Sequence, residues 1–507
     1  MKRDYEIERV AVVGLDGLSW WYFKKIFNSG AMPYTRSIYQ KSYKSILEST
    51  IPPVTPPSWS SIMTGVNPGK HGIFSFDYID MRTLKQKLFT ALDLMHPRIH
   101  EMLAMKDVPS VILNPIPDYP LIPIRKAHVM SHLFFTPKIL YFPYNMERFA
   151  KMLSLAKEVQ KDNSLDSIVR SFKIAEIYRD LIKESAETLD WKLYWVNLNI
   201  PDVYLHTRLE VFSNKTLPSE IKLFSEIDRI IKILDYYSDA LVIVSDHGFS
   251  LYKWRISIND LLVKYNFAKI GKPGEIIREH HELMTRYEHQ YIPSKILPFL
   301  GLLYHPYFKP IRKMIKKLYS LIKGESPKLV IGVDMHDSEA FMGSRYTHGI
   351  YIKRTETIPA ILKLLENIPG IKWAKRREDV YSGPYVSRAP QIIVCPDYNE
   401  GYFLALNRVY GRIHLRVDVS DHHPDGVFML HAPPVHTDRT WPRRLPVYFV
   451  TPLIMYLLGI PLSSATDSPH LLKNIFRDAS DLRFTDEYLK RWKIVRRRTL
   501  LRKKMKK

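Results

Sequence analysis

Six side chains with metal-binding chemistry lie beside apolar stretches that are widely separated along the chain. They are three carboxylates and three imidazoles, namely Asp16, Asp202, His206, Asp246, His247 and either His422 or His423. Thr55 adds a hydroxyl group just before two prolines. Such a set is the inventory of a two-metal hydrolase with an alcohol nucleophile. The single cysteine, Cys395, excludes a cysteine-based zinc site, so oxygen and nitrogen must hold any metal.

The spacing of Asp202 and His206 places both side chains on one face of a helical turn, because residues four apart are neighbours there. That arrangement suits two ligands of one small cation. The alternative is a polar helix start with an incidental surface histidine. The position directly after the apolar stretch Tyr194–Leu198 favours the metal site.

Asp246 and His247 follow the apolar stretch Leu241–Val244. A carboxylate at the end of a buried strand is costly unless it is paired or bound to a metal. Adjacent residues on a strand face opposite ways, so both reach one ion only if the chain bends, which Gly248 permits. The alternative role for Asp246, and likewise for Asp16, is to cap the next helix.

Thr55 precedes Pro56 and Pro57, which are well tolerated in a first helical turn. This pattern predicts that Thr55 is the N-cap of a helix, and capping could be its whole role. In the functional reading, the free amides and the helix dipole attract a phosphoryl group, and a divalent ion stabilises the alkoxide. His422 and His423 remain open as alternatives, because two adjacent histidines cannot readily bind the same ion.

The elements that must position these residues alternate between strand and helix. Apolar stretches at Val10–Leu15, Leu193–Leu198 and Leu241–Ser245 predict buried strands, and Ile168–Leu189 and Ile221–Leu234 have helical periodicity. Repetition of this order predicts an α/β fold with a mostly parallel central sheet flanked by helices. Functional residues are then expected at the carboxyl ends of the strands.

Two stretches interrupt this rhythm and are expected to be inserted cap segments. One is rich in prolines and the other is basic and aromatic, with Lys309–Lys323 as its most basic part. The expected divisions are residues 1–76, 191–249 and 331–475 as core, 77–190 as an insertion with helices, 250–330 as the basic and aromatic cap, and 476–507 as a basic tail.

Lysine and arginine outnumber aspartate and glutamate by 75 to 52, which favours an anionic partner. A phosphate-ester substrate and an acidic membrane surface both fit this charge, whereas no nucleic-acid motif is present. The charged N-terminus does not predict a signal peptide, and no apolar run is long enough to span a membrane. We therefore expect a cytoplasmic protein that could bind the membrane peripherally. The oligomeric state stays open.

In order along the chain, the motifs resemble the alkaline phosphatase superfamily, and most closely its type I phosphodiesterase/nucleotide pyrophosphatase branch. The matching segments are VVGLDGL, IPPVTPPSWSSIMTGVNPGKHGIFSF, NIPDVYLH, VIVSDHGF and SDHHPDGVFML. Further similarity lies in residues 340–352, 383–394 and 447–461. Together the similar regions cover about residues 9–80, 190–250 and 330–475.

The resemblance implies a ligand set and a mechanism. One ion would be held by Asp202, His206 and His422, and the other by Asp16, Asp246 and His247 with Thr55 as nucleophile and ligand. Two divalent ions are implied, with zinc as the usual choice and manganese as an alternative.

Ser58 would contact the substrate in this scheme. Relatives that act on nucleotides often have asparagine at this position, which argues against a nucleotide substrate here. The implied reaction is hydrolysis of phosphodiesters through a phosphothreonine intermediate. A transferase to a glycan or lipid acceptor shares the same site, and a non-catalytic basic binding protein on this fold is a further alternative.

Overall fold

The structure is a computed structural model that describes residues 7–132, 139–271, 332–343, 346–405, 407–433 and 441–505. The α-helices in these ranges are α1 (Trp20–Asn28), α2 (Pro33–Tyr39), α3 (Thr55–Thr64), α4 (Pro68–His71), α5 (Ile99–Ala104), α6 (Glu147–Lys161), α7 (Ser167–Thr188), α8 (Asp202–Leu205), α9 (Pro218–Tyr236), α10 (Ile258–Lys264), α11 (Ile358–Glu366), α12 (Arg377–Val380), α13 (Val450–Leu457), α14 (Pro469–Ile475) and α15 (Glu487–Met505).

The strands are shorter and more numerous. They are β1 (Val10–Leu15), β2 (Tyr43–Glu48), β3 (Asp77–Asp80), β4 (Lys85–Leu88), β5 (Ser110–Leu113), β6 (Ala127–Ser131), β7 (Leu140–Phe142), β8 (Leu193–Leu198), β9 (Ala240–Val244), β10 (Gly248–Ile256), β11 (Lys269–Ile270), β12 (Val333–Asp334), β13 (Ala340–Phe341), β14 (Gly349–Ile352), β15 (Ile371–Arg376), β16 (Ile392–Pro396), β17 (Tyr402–Leu404), β18 (His414–His423), β19 (Asp425–His431), β20 (Arg444–Pro446), β21 (Leu462–Ser463) and β22 (Phe484–Thr485).

A nine-stranded sheet with the order β20-β2-β19-β9-β1-β8-β5-β6-β7 forms the centre of the molecule. Its middle strands β9, β1, β8, β5 and β6 are mutually parallel. β1 is buried on both faces: Val10 and Val12 pack with α3 and α13, whereas Ala11 and Val13 pack with α7 and α9. A continuous apolar sequence is what a strand buried on both faces requires. The predicted α/β fold with a mostly parallel central sheet is confirmed.

The expectation that the proline-rich stretch within residues 77–190 forms a cap is wrong for β5, β6 and β7. These strands extend the central sheet on the side of β8. All four residues of β5 are buried, so a very short apolar segment is enough for a strand inside a sheet. The prolines lie in the loops around these strands, where the absence of an N–H group costs no ladder hydrogen bond.

A second layer of strands packs beside the carboxyl ends of the central strands. β10 pairs with β17 on one side and with β18 on the other. The antiparallel register of β10 and β18 sets Gly248 opposite His423 and Phe249 opposite His422. Most of the expected basic cap, including Lys309–Lys323, lies outside the described residues.

The expected basic tail contains a helix, α15, which begins at Glu487. Tyr488 and Trp492 of this helix are buried against the body of the protein, whereas Ile494 and Val495 are about half exposed. Throughout the ranges that the structure describes, we find no helix with the length and apolar character needed to cross a membrane.

Candidate active site

Parallel strands bring the predicted residues to one edge of the central sheet. β1 lies between β8 and β9, and all three run in the same direction. Asp16 therefore follows β1 at the same edge where Asp246 and His247 follow β9 and where α8 follows β8. The backbone N–H of Asp202 donates a hydrogen bond of 3.0 Å to the carbonyl oxygen of Asp16, which ties α8 to the end of β1.

Asp202, His206 and His422 form the first cluster. His422 Nε2 lies 3.2 Å from Asp202 Oδ1 and 3.1 Å from His206 Nε2. His206 Nε2 lies 3.4 Å from the same aspartate oxygen. Since the polar atoms of all three side chains converge, this cluster can hold one small cation.

The second cluster consists of Asp16, Asp246, His247 and Thr55. His247 Nε2 lies 3.3 Å from Asp246 Oδ2, 3.6 Å from Asp16 Oδ1 and 3.5 Å from Thr55 Oγ1. The main-chain N–H of Gly17 donates to Asp246 Oδ1 at 3.2 Å, which orients the other carboxylate oxygen toward the imidazole.

Asp202 lies between the two clusters. Its carboxylate is within 4.8 Å of ligand atoms of Asp16 and His247 as well as of His206 and His422. The sequence motifs assigned Asp202 to one ion alone. The geometry instead places it within reach of both positions.

Burial of the charged side chains of this site is costly in the absence of a cation. Burial, followed by the negative charges of Asp246 and Asp202, raises the pKa of Asp16 well above its ordinary value. Burial and then Asp202 likewise raise the pKa of Asp246. Burial would also raise the pKa of Asp202, but His206 and His422 outweigh it and lower that pKa. Burial, followed by the nearby charge of His422, lowers the pKa of His247 well below its usual range.

Unpartnered oxygen atoms support the same conclusion. Asp16 Oδ1, Asp202 Oδ1 and Asp246 Oδ2 are buried without a hydrogen-bond partner among the described residues. An unpaired buried acceptor is costly, and carboxylates that collect at one point are a typical cation site. The donor set of oxygen and imidazole nitrogen thus fits a divalent ion such as zinc.

Thr55 lies at the very start of α3 and is only 2% exposed. The prediction that it is the N-cap is wrong by one residue: Val54, with extended backbone angles, takes that position, and Thr55 is the first helical residue. The hydroxyl group consequently does not cap the helix and lies beside His247. Pro56 and Pro57 have no N–H group, and the N–H of Ser58 donates to the carbonyl oxygen of Val54. The N–H of Thr55 and the helix dipole are therefore what this helix start offers to an anion.

Ser58 is completely buried one turn into α3. Its hydroxyl lies 2.7 Å from Ser49 Oγ and 2.9 Å from Thr50 Oγ1. The side chain therefore belongs to a cluster of three hydroxyl groups between the end of β2 and α3.

The two adjacent histidines of β18 face opposite ways, as strand geometry demands. The ring of His422 stacks on that of His247 with 3.8 Å between centroids. His423 instead packs against Tyr398 and accepts a hydrogen bond of 3.2 Å from the main-chain N–H of Asp425. The structure thus brings His422, and not His423, to the clusters.

Sequence reasoning assigned no role to Phe249 or His348, although both adjoin the clusters. The ring of Phe249 contacts His206, His422 and His247 with centroid distances of 4.9, 5.1 and 5.8 Å. His348 and His422 line the same small cavity of about 30 Å³. Burial lowers the pKa of His348 to about 4, so this imidazole is neutral at physiological pH. The sequence did contain a clue to each residue: Phe249 directly follows the Asp-His-Gly triplet, and His348 lies in one of the segments that resemble the family.

The fold is that of the alkaline phosphatase superfamily of phosphoester hydrolases, and the two clusters are candidate sites for the divalent ions that such enzymes generally use. The chain matches the model of the type I phosphodiesterase/nucleotide pyrophosphatase family over residues 10–295, and it belongs to that family. This range contains the residues of both clusters apart from His422. A comparison with curated protein sequences gave no significant match.

Solved structures share the fold at low sequence identity. Phosphonoacetate hydrolase from Sinorhizobium meliloti 1021 is similar in its complexes with phosphonoacetate (TM-score 0.56) and phosphonoformate (TM-score 0.55). Each comparison has 15% identity and covers 90% of this chain and 95% of the other. Murine ectonucleotide pyrophosphatase/phosphodiesterase 5 matches with 15% identity, coverage of 89% and 95%, and a TM-score of 0.48.

Proposed function

We propose that the protein hydrolyses phosphodiesters with Thr55 as the nucleophile at a two-metal site. The observation that carries this proposal is the placement of the Thr55 hydroxyl, 3.5 Å from His247 Nε2 and in the first residue of α3. A phosphoryl group attracted by the helix dipole and the N–H of Thr55 would lie next to the hydroxyl. The two clusters of ligand-type residues adjoin the same position.

Two divalent ions are proposed, one in each cluster, with Asp202 oriented toward both. Zinc suits the mixture of three imidazoles and three carboxylates better than magnesium, which prefers all-oxygen coordination. Bound ions would supply positive charge that lowers the pKa of the attacking hydroxyl and stabilises the charge developing on the phosphoryl oxygens.

The proposed reaction proceeds in two displacements. Thr55 Oγ1 forms a bond to phosphorus as the bond to the leaving alcohol breaks, and the alcohol departs with a proton. Water then attacks the phosphothreonine, releases the phosphate monoester and regenerates the threonine hydroxyl. A covalent intermediate of this kind divides one difficult displacement into two easier ones.

Ser58 is proposed to bind the substrate, although indirectly. Its hydroxyl is bonded to Ser49 and Thr50, so it can support the first turn of α3, beside which the phosphoryl group would bind. A direct contact to a phosphate oxygen would require one of these bonds to be exchanged.

The C-terminal helix α15 is a proposed contact with acidic membrane surfaces. Eleven of the last 21 residues, positions 487–507, are lysine or arginine, and Glu487 is the single acidic residue among them. Half-exposed Ile494 and Val495 add apolar surface to this basic helix. Basic residues with interleaved apolar side chains are typical of segments that bind anionic lipid.

The test combines metal analysis with turnover of bis-p-nitrophenyl phosphate. Protein reconstituted with zinc should hold two ions per chain, and Thr55→Ala should retain them while losing turnover by at least about a thousandfold. Thr55→Ser should keep partial activity, and acid quenching of the wild type should trap a phosphorylated peptide that contains Thr55. Near wild-type turnover by the alanine variant would refute the proposed nucleophile. Binding of fewer than two ions per chain would refute the two-metal site.

A further inference from the structure

A row of buried polar side chains connects α8 to the helices behind it. Tyr204 OH lies 2.8 Å from Tyr22 OH, and Tyr22 OH donates a hydrogen bond of 2.6 Å to Glu220 Oε1. Lys25 Nζ lies 3.3 Å from the same carboxylate oxygen. Both tyrosines and Glu220 are completely buried, so water does not compete for these bonds.

The direction of the hydrogen bonds follows from the inventory of donors. Tyr22 has one hydroxyl proton and gives it to Glu220, so Tyr204 must donate its own proton to Tyr22. Glu220 also accepts from the main-chain N–H of Leu217 at 2.7 Å, and Lys25 Nζ donates to the carbonyl oxygen of Val211 at 2.6 Å. The row therefore ends in a carboxylate that is itself fixed at the start of α9.

α8 needs such support because it is a single turn. A helix of four residues cannot be stable by itself in water. Tyr204 lies two residues after Asp202 and two before His206, which places it on the opposite side of the turn at 3.6 residues per turn. The phenol therefore points into the core, while the carboxylate and the imidazole face the cluster.

We propose that Tyr204, Tyr22, Glu220 and Lys25 act as a strut. It positions Asp202 and His206 for the ion proposed between Asp202, His206 and His422. These four are positioning residues, since none of them touches the cluster itself. The turn is also held by the hydrogen bond from Asp202 N–H to the Asp16 carbonyl and by the Ser420 hydroxyl, which donates to the carbonyl oxygen of Leu205. The inference rests on the proposed two-metal site.

The decisive variant is Tyr22→Phe, which interrupts the strut in its middle and leaves every ligand-type residue intact. We expect the affinity of the ion proposed between Asp202, His206 and His422 to fall about tenfold, because removing groups that orient a ligand typically has such an effect. The affinity of the other ion should fall less, because the turn contributes only Asp202 to that ion. Competition with a chromogenic zinc chelator measures both affinities. Tyr204→Phe should give a similar loss, and the double variant should be no worse than the more affected single variant, because the two hydroxyls act as one unit.

Tyr194→Phe is the matched control. Tyr194 is equally buried and its hydroxyl lies 2.7 Å from Ser185 Oγ, but it belongs to β8 and is not part of the strut. This variant loses the same kind of buried hydrogen bond. It should lower stability to a similar extent and leave both zinc affinities at their wild-type values.

A second measurement does not depend on metal. Hydrogen exchange of the metal-free protein should be faster in residues 202–208 of Tyr22→Phe and unchanged in residues 10–15. If the wild type bound fewer than two ions, the two-metal proposal would fail, and the exchange result would still decide on the strut. The proposed strut would be refuted by unchanged exchange in residues 202–208 or by equal loss of both zinc affinities. It would also be refuted if Tyr194→Phe lowered zinc affinity as Tyr22→Phe does.

Discussion

Replacement of Asp16 by asparagine should stabilise the metal-free protein and destabilise the metal-loaded protein. Asp16 is 1% exposed, and its carboxylate lies within 4.8 Å of that of Asp202. Without a cation, two buried negative charges repel each other, and one carboxylate oxygen has no hydrogen-bond partner among the described residues. Asparagine has nearly the same shape and carries no charge.

The size of the effect follows from the distance. Two unit charges 4.8 Å apart repel by about 3.5 kcal/mol at an effective dielectric constant of about 20. The separation is at most 4.8 Å, so this figure gives the order of magnitude of the repulsion, and the measured gain is reduced wherever Asp16 takes up a proton. The pKa of Asp16 is raised by burial and by Asp246 and Asp202, so the native state keeps a proton that the unfolded state loses above the ordinary pKa of 3.8. The gain should therefore be near zero below that pH, grow as the pH rises from 3.8 toward the raised pKa, and stay constant above the raised pKa.

Urea unfolding, followed by tryptophan fluorescence in chelator and in zinc at several pH values, provides the assay. With chelator, the midpoint for Asp16→Asn should exceed that of the wild type, and with zinc the order should reverse. Asp228→Asn is the control, because the Asp228 carboxylate accepts bonds from Tyr34 N, Thr35 N and Thr35 Oγ1 at 2.6 to 3.0 Å. It should destabilise under both conditions. A lower midpoint of Asp16→Asn in chelator would refute the reasoning.

Three further predictions concern the remaining parts of the molecule. His422→Ala should reduce turnover and zinc affinity far more than His423→Ala, because only His422 faces the clusters; equal losses would contradict this orientation. Removal of zinc by chelator should occur in two phases, because the side chain of His206 is 33% exposed and that of His247 is fully buried. The faster phase is expected for the ion beside His206, so His206→Ala should eliminate it. Deletion of residues 490–507 should weaken binding to acidic vesicles by about 1 kcal/mol per basic residue removed, and it should leave hydrolysis of a small soluble ester unchanged. The lipid contact would be excluded if the intact protein did not bind such vesicles at low salt.

The strands at the centre of the sheet could be predicted because burial on both faces leaves a continuous apolar signal. Val10–Leu15 and Leu193–Leu198 agree with the structure at both ends. β5 and β7 could not be recognised, since segments of three or four residues between prolines carry too little pattern of their own. Their position depends on pairing with neighbours that are distant in sequence, which no local signal contains.

The candidate site likewise contains features that could be predicted from the sequence and features that could not. Residues directly after predicted strands, such as Asp16 and Asp246, could be located from the sequence because parallel strands end at one edge. The position of Asp202 between the clusters could not be predicted from the sequence, because it depends on how α8 packs against the sheet. The hydroxyl cluster of Ser49, Thr50 and Ser58 could not be predicted either, since it forms only where the end of β2 meets α3.

The two clusters differ in how the fold supports them. Asp16 and Asp246 follow adjacent strands in the middle of the largest sheet, where the backbone is fixed by hydrogen bonds on both sides. Asp202 and His206 depend on one helical turn, held by the backbone of Asp16 and by the buried hydroxyl of Tyr204. The position of the proposed nucleophile is thus set by the sheet and α3, whereas the separation of the two proposed ions is set by α8. Changes behind α8 should therefore alter metal binding without moving Thr55.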